Sequence, residues 1–187
     1  FGFGWRLNIS QKAGLANFGQ IAYTTWVDSD GTTHYFRQVD NQNKYVDEAG
    51  SQCWMTYSAT TGYTLHDSAG NKSTFNTQGW LTKMEDRQGN ALTIALDAQG
   101  KPTKVTDGIG RETTFSYNAS NLLTSIEDPT DRLTSFTITS NQLRSITDPD
   151  SVVSNITYAS SVDHRVMETS VSGHPTIKLE YTSVLPL

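Results

Sequence analysis

The side chains able to do chemistry here are nineteen acids, four histidines and one cysteine, and their spacing limits what that chemistry can be. Paired carboxylates would suit general acid-base work, yet the aspartates recur instead of pairing. Asp67, Asp86, Asp107, Asp128 and Asp148 stand 19, 21, 21 and 20 residues apart. A catalytic pair is singular, whereas an acid present in every unit serves the geometry of the unit. His34, His66, His164 and His174 fall in different units without the H-x-x-x-H spacing of a zinc site, so each reads as a polar strand or turn residue. Cys53 can be paired on paper with a distant histidine, but nothing beside it in sequence activates it, and it reads as a half-buried structural cysteine. Asp28-Ser29-Asp30-Gly31 opens like a calcium loop, although the twelfth position is Val39, where a bidentate glutamate is required. No Gly-rich phosphate loop opens a helix. The expectation is no catalytic residue, no metal and no cofactor.

What must position the aspartates is a repeated strand. Eight residues after each comes an apolar side chain, Phe75, Ile94, Phe115, Phe136 and Ile156, and ten after come Thr77, Leu96, Tyr117, Ile138 and Tyr158. These two sites share a parity, so they face one side of a strand. Working outward, Asp28 carries Gly31 and Phe36, Asp47 carries Gly50, Met55 and Tyr57, and Val171 replaces the aspartate ahead of Leu179 and Tyr181. That makes about eight units with little chain left over. The turns are read as structural, headed by Asp28, Asp47, Asp67, Asp86, Asp107, Asp128 and Asp148, with Gly31, Gly50, Gly70, Gly89 and Gly110 supplying positive φ at their exits. The offset-eight and offset-ten residues are read as the repeat core, so truncating Phe115 to Ala is expected to cost roughly 3 to 5 kcal/mol.

From Tyr63 onward each unit has two turns about ten residues apart, as in Asp86-Arg-Gln-Gly89 and Asp97-Ala-Gln-Gly100. That spacing, without a convincing helical stripe, predicts an all-β meander of antiparallel hairpins in units of 19–23 residues. Leu81, Leu123 and Leu143 lie three residues before Met84, Ile126 and Ile146, which puts them on opposite faces unless a bulge intervenes. Residues 1–22 precede the periodic region and read as a cap, with Phe1, Phe3, Trp5 and Leu7 alternating along a lead-in strand. Residues 23–187 form one continuous repeat domain, whose last stretch loses the aspartate and is punctuated by Pro175 and Pro186. The start at Phe1 without an initiator methionine reads as a piece of a longer chain.

Bulk composition narrows the partners. Only 18% of residues are charged, while 26 Thr and 19 Ser suit solvated strand faces and turns. With a net charge of -5 and 14 scattered Lys and Arg, the chain lacks the concentrated basic face that nucleic acid requires. No apolar run approaches the roughly 18 residues of a membrane helix, so no membrane insertion is expected. A single cysteine leaves stability to packing and hydrogen bonds. The sequons at Asn8, Asn71, Asn118 and Asn155 matter only in a eukaryotic secretory pathway.

The run GNKSTFNTQGWLTKMEDRQGNALTIALDAQGKPTKVTDGIGRETTFSYNASNLLTSIEDP resembles the Rhs or YD-repeat family, whose units read approximately G-x-x-x-x-Y-x-Y-D-x-x-G-R-L-x-x-I-x-D-P-x-G. The tyrosine-aspartate pair survives only as Leu96-Asp97 and Tyr117-Asn118. GFGWRLN, DGTTHYF and YVDEAG are similar to the segment that precedes YD repeats in large secreted and cell-wall-associated bacterial proteins. The resemblance implies a curved sheet strip, part of a spiral β-shell like that of bacterial Rhs toxins, the cocoon of insecticidal toxin complexes and teneurins. In the bacterial shells it implies that the remaining repeats and a C-terminal toxin domain of the parent chain are the partners. Self-cleavage is not carried over, because no DPxGL sequence follows Asp128-Pro129 or Asp148-Pro149.

The function expected is therefore a non-catalytic structural module of an extracellular, secreted or cell-wall-associated protein. A carbohydrate-binding or adhesive module is the alternative, with Trp5, Trp26, Trp54 and Trp80 as candidate glycan contacts, all in the first half of the chain. Exposed tryptophan and tyrosine on one face would favour it, and engaged rings would count against it. A short run of repeats leaves strand edges open, so weak edge-to-edge self-association is expected.

Overall fold

Alternating Thr, Ser and β-branched residues, broken every ten or so positions by Asp, Asn and Gly, give strands joined by tight turns. The computed structural model describes residues 4–39 and 43–181 and contains seventeen strands, with no helix among the described residues. The chain divides into two units, one of Leu7–Thr113 and the other running from Thr114 together with the residues before Leu7.

In the first unit β1 (Lys12–Phe18), β2 (Ile21–Val27), β3 (Thr33–Gln38), β4 (Tyr45–Asp47) and β5 (Trp54–Ser58) pair antiparallel, each with the next. β6 (Gly62–His66), β7 (Lys72–Phe75), β8 (Leu81–Glu85), β9 (Ala91–Leu96) and β10 (Pro102–Thr106) continue the same meander. β1 also reaches the β7–β8 turn: the Ala13 amide donates to the Gly79 carbonyl at 2.8 Å, and Lys12 bridges to Trp80. The unit thus curls its first strand onto its eighth. Its core gathers Ala13, Phe36, Met55, Tyr63, Leu65, Phe75, Leu81 and Ile94.

The second unit runs through β11 (Glu112–Tyr117), β12 (Leu123–Glu127), β13 (Leu133–Thr139) and β14 (Gln142–Thr147) to β15 (Val153–Tyr158), β16 (Val166–Val171) and β17 (Ile177–Lys178). Leu143, Ile156 and Tyr158 form its buried cluster, with Phe136, Ile138, Ile146 and Val166 packed against it.

The parity conflict of the leucines is resolved by bulges. Register shifts fall between Thr74 and Phe75, Ser116 and Tyr117, and Thr137 and Ile138, so Leu81, Leu123 and Leu143 pair opposite Phe75, Tyr117 and Ile138. One extra residue between each leucine and its Met or Ile returns both to the core face. The lead-in reading differs more. Phe1 and Phe3 lie outside the described residues, as does Pro186 at the other end, and Trp5 and Leu7 belong to no strand. The chain turns there, with the Ser10 amide donating to the Leu7 carbonyl, and the first hairpin, β1–β2, spans the expected boundary at residue 22.

In the turns headed by Asn118, Asp128 and Asp148 a side chain stands where glycine closes the turn elsewhere. Asn121, Asp131 and Ser151 hold φ of 61°, 62° and 64°, in the left-handed region. Asparagine tolerates that region better than the other two. Asp131→Gly and Ser151→Gly are each expected to stabilise by about 0.5–1 kcal/mol, read as a rise in the urea midpoint.

Candidate functional site

The chemistry-bearing aspartates head a turn of nearly constant geometry. In the turn at Asp67 the aspartate amide donates to the Asn71 carbonyl and the Gly70 amide donates back to the Asp67 carbonyl. One carboxylate oxygen accepts the amides of Ala69 and Asn71, both at 2.9 Å. The other accepts the Asn71 side-chain amide at 2.8 Å. Asp86, Asp107 and Asp128 repeat this with Asn90, Arg111 and Arg132 as the last partner, and Asp97 with Lys101. Asp148 keeps the amide contacts, through Asp150 and Val152. Asp28 takes the amides of Asp30, Gly31 and Thr32 on one oxygen and His34 on the other, so the calcium-like opening spends its first carboxylate on its own turn. Asp47 heads a wider loop, bonding Ala49 and Ser51. Gly31, Gly50, Gly70, Gly89 and Gly110 all have positive φ.

Two devices escaped the sequence reading. Asn76 and Asn118 head the same turn at the other end of their hairpins, accepting amides from Gln78 and Trp80 and from Ser120 and Leu122. Thr82, Thr103 and Thr124 sit in the bulges and donate their hydroxyls across to the carbonyls of Thr74, Ala95 and Ser116, at 3.1–3.2 Å. The signal was present, since each threonine lies four residues before an aspartate.

At offset eight, Phe36, Met55, Phe75, Ile94 and Ile156 are buried, while Phe115 and Phe136 are half-buried. At offset ten, Tyr158 is buried and Tyr117 half-buried. Tyr158 donates its hydroxyl to the Leu143 carbonyl at 3.0 Å and accepts the Trp5 indole N–H at 2.9 Å. Leu179 and Tyr181 depart from a core role: they are 39% and 47% exposed. The cause is local, because β17 ends at Lys178 and, among the described residues, pairs only with β16.

The tryptophans are engaged within their own units. Trp54 stacks face to face on His66 at 3.7 Å, with the Lys44 ammonium 4.8 Å from its ring centre. Trp26 stacks on His34 at 4.8 Å and donates its indole N–H to Gln11. Trp80 lies so close over Gly100 that a Cβ there would overlap the indole, and the Lys12 ammonium sits 4.1 Å from its ring centre. Trp5 is 38% exposed. The half-buried Cys53 points its thiol toward the Ser51 carbonyl. No three His, Cys, Asp or Glu side chains converge in metal-binding reach among the described residues.

Electrostatically Asp28, Asp86, Asp107 and Asp128 are held charged. For Asp28, burial works against ionisation, but the bonds from His34, Asp30 and Thr32 outweigh it and lower its pKa to about 2. At Asp128 the Thr130 hydroxyl and amide lead, with Arg132 adding to them, and the value falls well below the ordinary range. At Asp107 Arg111 leads, and at Asp86 Asn90. Folded values below the unfolded one, about 3.9, mean that this stabilisation is complete above that pH and is lost as pH falls through the folded values. Thermal melts are therefore expected to be flat above about pH 5 and to fall between about pH 4 and 2. Asp86→Asn with Asp107→Asn and Asp128→Asn should flatten that fall while keeping the turns, since Asn76 and Asn118 already serve as heads. An unchanged acid limb in the triple variant would contradict this.

Comparison with protein families matches residues 97–133 to RHS Repeat. No curated protein matches. Among solved structures, the chain is similar to the Tc holotoxin pore of Photorhabdus luminescens, at 14% identity and a TM-score of 0.46 over 86% of its length. It is similar also to the TcdB2-TccC3 complex, at 13% identity and a TM-score of 0.42 over 92% of its length. The chain spans 10% of each of those chains. The matched segment runs from Asp97 through the turn at Asp107 and the Thr124 bulge to the turn at Asp128, the same parts that recur on either side of it. Residues 97–133 are thus similar to an RHS repeat, set within a run of like turn-and-strand units.

Proposed function

We propose that this chain is a wall segment of a β-shell that encloses or presents a C-terminal domain, in the toxin-bearing manner, of its own parent protein. The observation that carries the reading is that the recurring acids are spent on the amides of their own turns, leaving a unit whose repetition builds surface rather than a reaction centre. The RHS repeat supports it. The module is non-catalytic, and its partners are the remaining repeats and that C-terminal domain. Its setting is extracellular, secreted or cell-wall-associated. The engaged rings of Trp26, Trp54 and Trp80 favour a wall over a tryptophan glycan platform. The outer edge of β17, which pairs only with β16 among the described residues, supports weak self-association of the isolated chain, read as a concentration-dependent sedimentation coefficient.

Limited proteolysis of the full-length parent, with the fragments mapped by mass spectrometry, tests the enclosure. A C-terminal domain resistant while the repeats are intact, and cut once they are unfolded, is the expected result. Free cleavage of that domain in the intact protein would overturn it.

A further inference from the structure

On β1, β2 and β3, Phe18, Tyr23 and Tyr35 share the face opposite the buried Ala13, Thr24 and Phe36. Strand pairing makes them diagonal neighbours: Ala16 pairs with Tyr23 and Thr25 with Tyr35. Diagonal positions are within reach of aromatic side chains. The three rings stand nearly perpendicular to one another, at 71°, 65° and 85°, with centres 5.5–6.1 Å apart. Phe18 is 56% exposed and Tyr35 38%.

Rings of this kind in a protein core would be covered, and these instead line a cleft of about 680 Å³. Its wall continues through Asp47 and Glu48. Glu48 lies beside Tyr35, its amide donating to the Tyr35 carbonyl. The Asp47 carboxylate is held charged: burial opposes ionisation, and the bonds from Ser51 and Ala49 exceed it. Two further charged or titratable groups bear on the cleft. His34 is tied to Asp28 at 2.8 Å, and Arg37 stands 3.7 Å from Glu48 in a pair whose side chains are 60% and 45% exposed. An exposed pair that loose is worth little and leaves the Glu48 charge available.

Aromatic faces attract cations through the ring quadrupole, and a quaternary ammonium suits them best because it carries charge without hydrogen-bond donors to satisfy. We infer that the Phe18–Tyr23–Tyr35 cleft, with Glu48 at its rim, binds a quaternary ammonium group such as that of choline. The rings supply the contact surface, and Glu48 and Asp47 supply the field. The site lies within one unit and does not depend on the shell reading.

The test is titration of the 187-residue chain with choline chloride, followed by the ring-current shift of the N-methyl proton signal. The neutral isostere 3,3-dimethylbutan-1-ol runs in parallel. Choline is expected to saturate, with the isostere about ten-fold weaker or more. Phe18→Leu and Tyr35→Leu, which keep apolar surface but remove the rings, should each weaken choline about five-fold or more, and Glu48→Gln about two-fold or more, with melting temperatures unchanged. Equal binding of the isostere would overturn the inference, as would undiminished binding by both leucine variants. Pelleting with phosphatidylcholine vesicles but not phosphatidylglycerol vesicles would assign the source to a lipid headgroup. Binding of free choline without pelleting would assign it to the soluble cation.

Discussion

Phe75→Ala is expected to lower the unfolding free energy by about 3–5 kcal/mol, measured by urea denaturation. Phe75 is 0% exposed and lies in the core cluster of the first unit. It pairs with Tyr63 on one side and Leu81 on the other, at the bulge that turns Leu81 inward. Removing the ring forfeits the transfer energy of a buried aromatic and leaves a cavity that two hydrogen-bonded neighbours cannot close. The same truncation at Phe115, half-buried in β11, should cost only about 1–2 kcal/mol. The larger loss that the repeat pattern predicts for Phe115 thus belongs to Phe75. A loss below about 1 kcal/mol at Phe75 would mean that offset eight is not the packed position of the unit.

Gly79→Ala should cost about 2–4 kcal/mol, more than the same exchange at Gly70, Gly89 or Gly110. Its φ of +84° is disfavoured for an alanine, and a Cβ built there overlaps the Ala13 carbonyl oxygen. The backbone must shift, and with it the bond from the Ala13 amide to the Gly79 carbonyl. Gly110, at φ +87° with open space around its missing Cβ, isolates the conformational part, expected at about 1–2 kcal/mol. Equal losses at the two positions, compared by thermal or urea unfolding, would show that the contact between β1 and the β7–β8 turn contributes nothing.

Much of the architecture was legible because its determinants are local. An aspartate followed three residues later by a glycine gives the same turn at Asp67, Asp86, Asp97 and Asp107 in different surroundings, and the parity of Leu81 and Met84 left a bulge as one of two ways to place both. What was not legible depends on distant chain. The bulge threonines could be seen only once Thr82 was known to lie across from Thr74. Engagement of Trp54 requires His66 to arrive from the next strand. Burial at offset eight also varies between units, from Phe36 to Leu179, because each position is covered by neighbours the repeat pattern does not specify. The aromatic trio was missed for a related reason: Phe18, Tyr23 and Tyr35 follow no common period, and only the register of three strands brings them together.

The contact between Ala13 and Gly79 also orders events in time. Each hairpin can zip from its own turn within microseconds, since its partners are close in sequence. Bringing β1 to the β7–β8 turn must wait until the intervening strands have assembled, because closing so long a stretch of chain earlier costs entropy that no bond has yet repaid. The first strand of the unit is therefore among the last to find its second neighbour, and its arrival converts a row of independently formed hairpins into one cooperative body.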